Sequence, residues 1–439
     1  MAQFRTTADL VDAVLSKAGE STSGTSPYEA DALTYLNKIH SGLIGGGLVF
    51  DKNVNEDWTW ARARHPFTLE LQPKQNTGSI TLTQGSDAGT FSSAPTVSLE
   101  GWYLRETGYT TIYRIMQHTA SSTAFELDAF YVGTSGSGKS FEAFKLDYEV
   151  VPSHLYIETG INDKLDFIRT GSTEATATLT AGAYTPTALA AHVATVVGTA
   201  AGGGSVYTCT YSTITRKFTL TSDTASSDVF KFLCATGTNV ARSAWPTLGF
   251  DYTDDAATAD THISTYALGG VSRLISPARA YKHNLYAGMI CALESRTFEE
   301  SYALHATREA TPRHFTILRE GADGLITIHF NSYPAEKIKL ELPVIPVPMD
   351  LKDNAASIPL VPRKYADVLE YGAAYMVCLD KEDDKSQSFM TLAQAQLALM
   401  QTEHRAQLKR TDPQFGEMTA RHDQVAHRRL RFGYEVGQG

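Results

Sequence analysis

Apolar positions near the start of the chain recur three and four residues apart, the period of a helix with one buried face. Leu10, Val11, Val14 and Leu15 form the first such stripe, with Thr6 or Thr7 placed to cap its start and Gly19 to follow its end. After a Ser/Thr/Gly-rich stretch, Pro27 stands near a second first turn, and Leu33, Leu36, Ile39 and Leu43 repeat before Gly45, Gly46 and Gly47. Residues 1–65 are therefore expected to hold a helical hairpin.

From Pro66 to Pro152 the period drops from helical to alternating. The runs FTLEL, SITLT, TVSLEGWYL, TTIYRIM, AFELDAFYV and FEAFKLDYEV, separated by Gly, Ser, Asp and Pro, predict six antiparallel strands of a sandwich or small barrel. The alternation returns in 271–350 as HFTILRE, GLITIHF and KIKLELPVIPVP, so the first β-region is expected to pair with these later strands. Residues 153–270, rich in Ala, Thr and Gly, carry their own strand, helix and strand signals, with a helix predicted from Pro186 to Val197. This segment is expected to be a small α+β domain inserted in a loop of the first. Helical periodicity resumes over Pro362–Lys381 and Lys385–Arg410, split by Glu382, Asp383 and Asp384, and Gly372, Ala373 and Ala374 would admit a close helical neighbour. The fold class is thus α+β. A helical layer is drawn from residues 1–65 and 351–410, and an antiparallel β-domain (66–152 with 271–350) carries the insertion; residues 411–439 form a basic tail.

At 439 residues, two or three separate cores are expected. The formal net charge of -10 excludes a body that grips nucleic acid along its length, since phosphate contacts need surplus Lys and Arg. The exception is RHDQVAHRRLR, in which Arg421, His422, His427, Arg428, Arg429 and Arg431 could form an arm that docks on an acidic partner or could be a solvated tail. Cys209, Cys234, Cys291 and Cys378 show no metal-ligand spacing and are expected to be buried free thiols. No signal-peptide core and no membrane-length apolar run is present, so a protein of the reducing cytosol, without a membrane partner, is expected.

One chemical motif stands out. Gly133 to Ser140 reads GTSGSGKS and fits the phosphate-binding loop pattern, with Lys139 and Ser140 in the phosphate and magnesium positions. That chemistry needs a helix after the loop, whose amides and dipole face the phosphates. The following FEAFKLDYEV alternates instead, so the motif is expected to be the tip of a hairpin joining two antiparallel strands. No HExxH, no G-x-S-x-G and no recognisable carboxylate pair is present; no catalytic residue, metal or cofactor is assigned, and the chain is not expected to be an enzyme. The alternating Trp58, Trp60, Arg62 and Arg64 could stack on nucleic acid, but two arginines are too few for a phosphate track, which favours packing beneath the helices.

Leu293 to Leu318 (LESRTFEESYALHATREATPRHFTIL) and Leu340 to Phe389 (LELPVIPVPMDLKDNAASIPLVPRKYADVLEYGAAYMVCLDKEDDKSQSF), with the opening TTADLVDAVLSKAG, resemble the head-to-tail adaptor (head completion, or connector) proteins of tailed bacteriophages. The shared order is a strand pair, a Pro-rich crossing, an acidic linker, a P-x-x-Y helix and a second helix after a charged turn. The GTSGSGKS-bearing segment and the inserted stretch also resemble parts of phage structural proteins. The resemblance implies a virion protein of the neck, assembled in the host cytoplasm as a homo-oligomeric ring, commonly of twelve copies, beneath the dodecameric portal. It further implies β-domains directed to tail nozzle, tube or fibre proteins, and viral DNA passing through the lumen without sequence-specific binding. The acidic body suits such a conduit, and the basic run at Arg421–Arg431 becomes the candidate portal-binding arm. The alternatives are a tail tube, collar or fibre-anchoring protein, and behind these a P-loop nucleotide-binding enzyme or a cell-wall hydrolase.

Overall fold

A computed structural model describes residues 5–22, 24, 26–51, 56–169, 173–202, 206–222, 230–255, 259–283, 285–293, 309–321 and 324–411. The chain divides into two compact units, one drawn from the residues up to Ala61 and from Asp350 onward, the other from Arg62–Met349. Among the described residues the α-helices are α1 (Thr7–Lys17), α2 (Glu29–Gly45), α3 (Pro186–Ala201), α4 (Ala366–Asp380) and α5 (Ser386–Thr411).

The first unit is helical and joins both ends of the chain. Thr6 and Asp9 form a reciprocal capping box at the start of α1, satisfying two orphan amides. At the centre lies α4, which packs against α1, α2 and α5 and buries Val368, Leu369, Ala373, Ala374 and Val377. Its Gly372 sits so close to α2 that a Cβ there would lie 2.9 Å from the Phe50 ring and 3.3 Å from Ile39. Buried Glu370 is held by the cations of Arg5 and Lys17, the latter at 2.6 Å, which offsets the cost of desolvating a carboxylate. The stretch after Asp350 is pinned to the amino-terminal helices: Asn37 exchanges hydrogen bonds with both backbone groups of Leu351, and the Thr7 amide donates to the Ser357 carbonyl at 2.8 Å.

The second unit contains two seven-stranded sheets with separate cores. In one, the strand order is Gly136–Lys139, Ile80–Leu82, Ala88–Phe91, Ala124–Leu127, Ile112–His118, Tyr103–Glu106 and Phe141–Phe144. Its two outermost strands are consecutive in the chain, separated only by Ser140. One bent strand thus pairs with Ile80–Leu82 through its first half and with Tyr103–Glu106 through its second, giving a nearly closed barrel around Phe91, Trp102, Ile115 and Phe125.

The other sheet runs Phe67–Leu71, Ile338–Leu342, Ala278–Lys282, Leu285–Ala292, His314–Glu320, Ile326–Phe330 and Asp147–Glu149. The barrel segment therefore leaves from one edge strand of this sheet and returns to the opposite edge. The expected pairing of the first β-region with the later strands is made by Phe67–Leu71 and Asp147–Glu149; among the described residues the strands between them pair with one another. Alternation reports which face of a strand is buried and not which strand lies beside it.

A third apolar cluster is built only from residues between Ile157 and Leu268. Trp245 stacks on Phe232 with ring centroids 3.8 Å apart and donates its indole N–H to the Asp166 carbonyl at 3.0 Å. The Asp166 carboxylate, buried beside it, accepts from Thr176 Oγ1 at 2.7 Å and from the Asn239 amide at 2.6 Å. Helix α3 is capped by the Thr185 hydroxyl and begins at Pro186, and it runs past the expected end at Val197 to Ala201. The two connections of this stretch lie side by side, since a Cβ on Gly269 would stand 2.5 Å from Pro152 Cδ; its positive φ of 81° also requires glycine.

Candidate functional site

The GTSGSGKS motif lies in the barrel, and its geometry is that of a structural strand. The runs that flank the motif, Ala124–Leu127 and Phe141–Phe144, do not pair with each other, which corrects the expected hairpin; Gly136–Lys139 within the motif is itself a strand, and with Phe141–Phe144 it forms the two halves of the closing strand. A register shift opposite Ile80–Leu82 accommodates Gly138, whose φ is +73°, and the Ser140 carbonyl accepts from the Thr107 amide at 2.9 Å. The amides that would cradle phosphate in a loop-to-helix site belong here to a β-strand. Lys139 Nζ is bound to Glu106 Oε1 at 2.8 Å and lies over the Tyr131 ring, while the Tyr131 hydroxyl donates to the other Glu106 oxygen. Glu106, followed by Tyr131, raises the Lys139 ammonium above its ordinary value, and burial with Glu106 raises the Tyr131 phenol. The trio is charge-matched and mutually satisfied, and it closes the barrel.

The tryptophans of WTWARAR are packed. Trp58 is fully buried, donates its indole N–H to the Leu43 carbonyl at 2.9 Å and stacks with Trp60 at 5.7 Å. Arg64 is paired with Glu158 at 2.7 Å. The cysteines are free thiols, with Cys234 and Cys378 buried and Cys209 and Cys291 half-buried. Arg421, His422, His427, Arg428, Arg429 and Arg431 lie outside the described residues. No group of three or more metal-ligating side chains occurs among the described residues, and no helix there is long and apolar enough to cross a membrane.

The feature best suited to function is the outward face of α5, which sequence reasoning treated only as helix. Its inner stripe, Ala393, Leu397, Met400 and His404, is buried. The opposite face carries Leu392 and Leu399, 42% and 51% exposed, with Ala395 and Ala398 also exposed between them. No charged residue occurs from Ser386 to Thr402. A helix that faces only water normally carries charges on its outer side, whereas the centre of a protein interface is depleted of them. Charge returns at once beyond this stretch, where Glu403 binds Lys364 at 2.6 Å and Arg405 binds Glu56. The signal was present in the sequence as a long helical run without Lys, Arg, Asp or Glu.

No protein-family model and no curated protein matches the chain. Among solved structures, the chain is similar to the crystal structure of the mavirus penton protein over 68% of this chain and 88% of that one, at 8% identity and a TM-score of 0.20. Similarity at that level carries no argument about fold or function.

Proposed function

We propose that this chain is a structural virion protein that assembles side by side into a ring, the head-to-tail adaptor beneath the portal of a tailed phage. The observation that carries the reading is the uncharged, leucine- and alanine-bearing outer face of α5. It lies on a compact helical unit drawn from both ends of the chain. In a closed ring each copy presents one such face to its neighbour and receives the neighbour through another, so modest contacts sum around the circle. The order of segments that resembles phage adaptors supports the same reading, and so does the Lys139–Glu106–Tyr131 trio, which gives the GTSGSGKS segment a structural occupation.

The test is native mass spectrometry with particle images of the purified chain, alone and mixed with the portal protein of the same particle. Closed rings seated on the portal support the proposal. Open polymers of the chain alone would instead favour a tail-tube role. Leu392→Glu combined with Leu399→Glu should abolish rings while leaving the monomer's melting temperature unchanged, because both side chains face solvent in the single chain. Rings that form normally in that double variant would remove α5 from the contact.

A further inference from the structure

In the sheet that runs from Phe67–Leu71 to Asp147–Glu149, two inner strands each leave part of one backbone edge open among the described residues. Leu285–Ala292 pairs with Ala278–Lys282 along one side. Along its other side only Cys291 and Ala292 have a strand partner among the described residues, in parallel register with His314 and Phe315. The stretch Leu285–Ile290 therefore presents an unpaired edge. The neighbouring strand repeats the situation at its opposite end: His314–Glu320 pairs with Ile326–Phe330 on one side, and beyond Phe315 its other side faces no strand among the described residues.

An exposed strand edge invites pairing with another chain, and monomeric proteins guard such edges with charges, prolines or bulges. Leu285–Ile290 reads LYAGMI, with neither charge nor proline. Leu285 is 74% exposed and Tyr286 57%, and Met289 is exposed as well. A bulge opposite Ala280 and Tyr281 divides the edge into two short pairing stretches. The second edge presents exposed Ile317 and Leu318 before its first charges, Arg319 and Glu320.

We infer that the Leu285–Ile290 edge of one copy pairs with the Thr316–Glu320 edge of a second copy, extending the sheet from subunit to subunit. The occupant is this chain itself because each copy supplies both halves of the contact. Because the parallel strands are staggered, the two open edges face opposite ways, as a head-to-tail contact requires. Main-chain hydrogen bonds would hold the joint, and Leu285, Tyr286, Ile317 and Leu318 would be covered as it forms. The inference rests on the ring reading and adds a second contact, independent of α5.

The experiment uses whichever preparation yields rings, the chain alone or the chain with portal. Under mild oxidation the double variant Tyr286→Cys/Leu318→Cys should give a covalent ladder of many copies, absent from the unsubstituted chain with its four native thiols. Neither single variant should crosslink. Leu285→Lys with Met289→Lys should lower ring yield at least tenfold without changing the monomer's melting temperature. Crosslinking by Tyr286→Cys alone would mean like-to-like pairing and overturn the inference. Normal rings from the double-lysine variant, with no ladder from the double-cysteine variant, would overturn it and leave the ring reading standing. Absence of rings in both preparations of the unsubstituted chain would overturn both together.

Discussion

Lys139 and Glu106 meet at 2.8 Å across the corner where one bent strand closes a seven-stranded sheet on itself. The lysine that a nucleotide would require is thereby committed to holding two barrel strands together. Titration of the intact chain with magnesium and ATP should show no binding. Lys139→Ala should lower the thermal midpoint slightly, because Glu106 and Tyr131 lose their common partner; saturable nucleotide binding lost in that variant would restore the phosphate-loop reading.

Gly372 is a packing requirement of the helical unit. Placing a valine there drives a branched side chain into Phe50 and into Ile39 of α2. Overpacking of this kind costs about 1–3 kcal/mol. Chemical denaturation of Gly372→Val should show that loss as a shifted midpoint with little change in slope.

His40, 2% exposed within the helical unit, accepts the Leu360 amide on Nε2. Burial pushes its imidazole down to about 4 from an ordinary 6.5. Between those values the unfolded chain binds a proton that the folded chain refuses. The stabilisation is therefore fully present above pH 6.5 and is lost as pH falls towards 4, by on the order of 3 kcal/mol. His40→Gln keeps an acceptor for Leu360 and should flatten the stability profile across that interval; an unchanged profile would show that His40 is not its source.

Trp245 anchors the cluster between Ile157 and Leu268 by area and by one hydrogen bond. Trp245→Ala should cost about 3–5 kcal/mol, the range for deleting a buried aromatic. Trp245→Phe keeps most of the apolar contact and removes one of two donors to the Asp166 carbonyl, which retains the Leu233 amide at 3.0 Å, so the loss should be smaller, about 0.5–1.5 kcal/mol. Hydrogen exchange should show the change in strand Lys164–Arg169 and its partners, with the helical unit unaffected.

Much of the local structure was legible because local rules set it. The stripe Leu10, Val11, Val14 and Leu15 with its Thr6 cap defines α1 without help from the rest of the chain, and Pro186 with Thr185 starts α3 in the same way. FTLEL and HFTILRE, which contain aromatic and β-branched residues, are strands over the same residues that the sequence pattern marks. The strands Ala88–Phe91 and Gly136–Lys139 were missed because AGTF and GSGK lack that composition. Pairing with neighbours on both sides makes the first a strand, and barrel closure makes the second one.

By itself the sequence determined the helical ends, most of the alternating segments between them, the acidic balance and the absence of charge from Ser386 to Thr402. Those properties depend on residues close together in the chain. Only the tertiary structure decided that Phe67–Leu71 and Asp147–Glu149 flank one sheet while the strands between them close another, and that Lys139 faces Glu106 and not a phosphate. It also decided that the Leu285–Ile290 edge has no strand beside it among the described residues. Partner choice in a sheet is made by backbone hydrogen bonds between segments far apart in sequence, and the side-chain pattern along one strand carries no record of which neighbour it will meet.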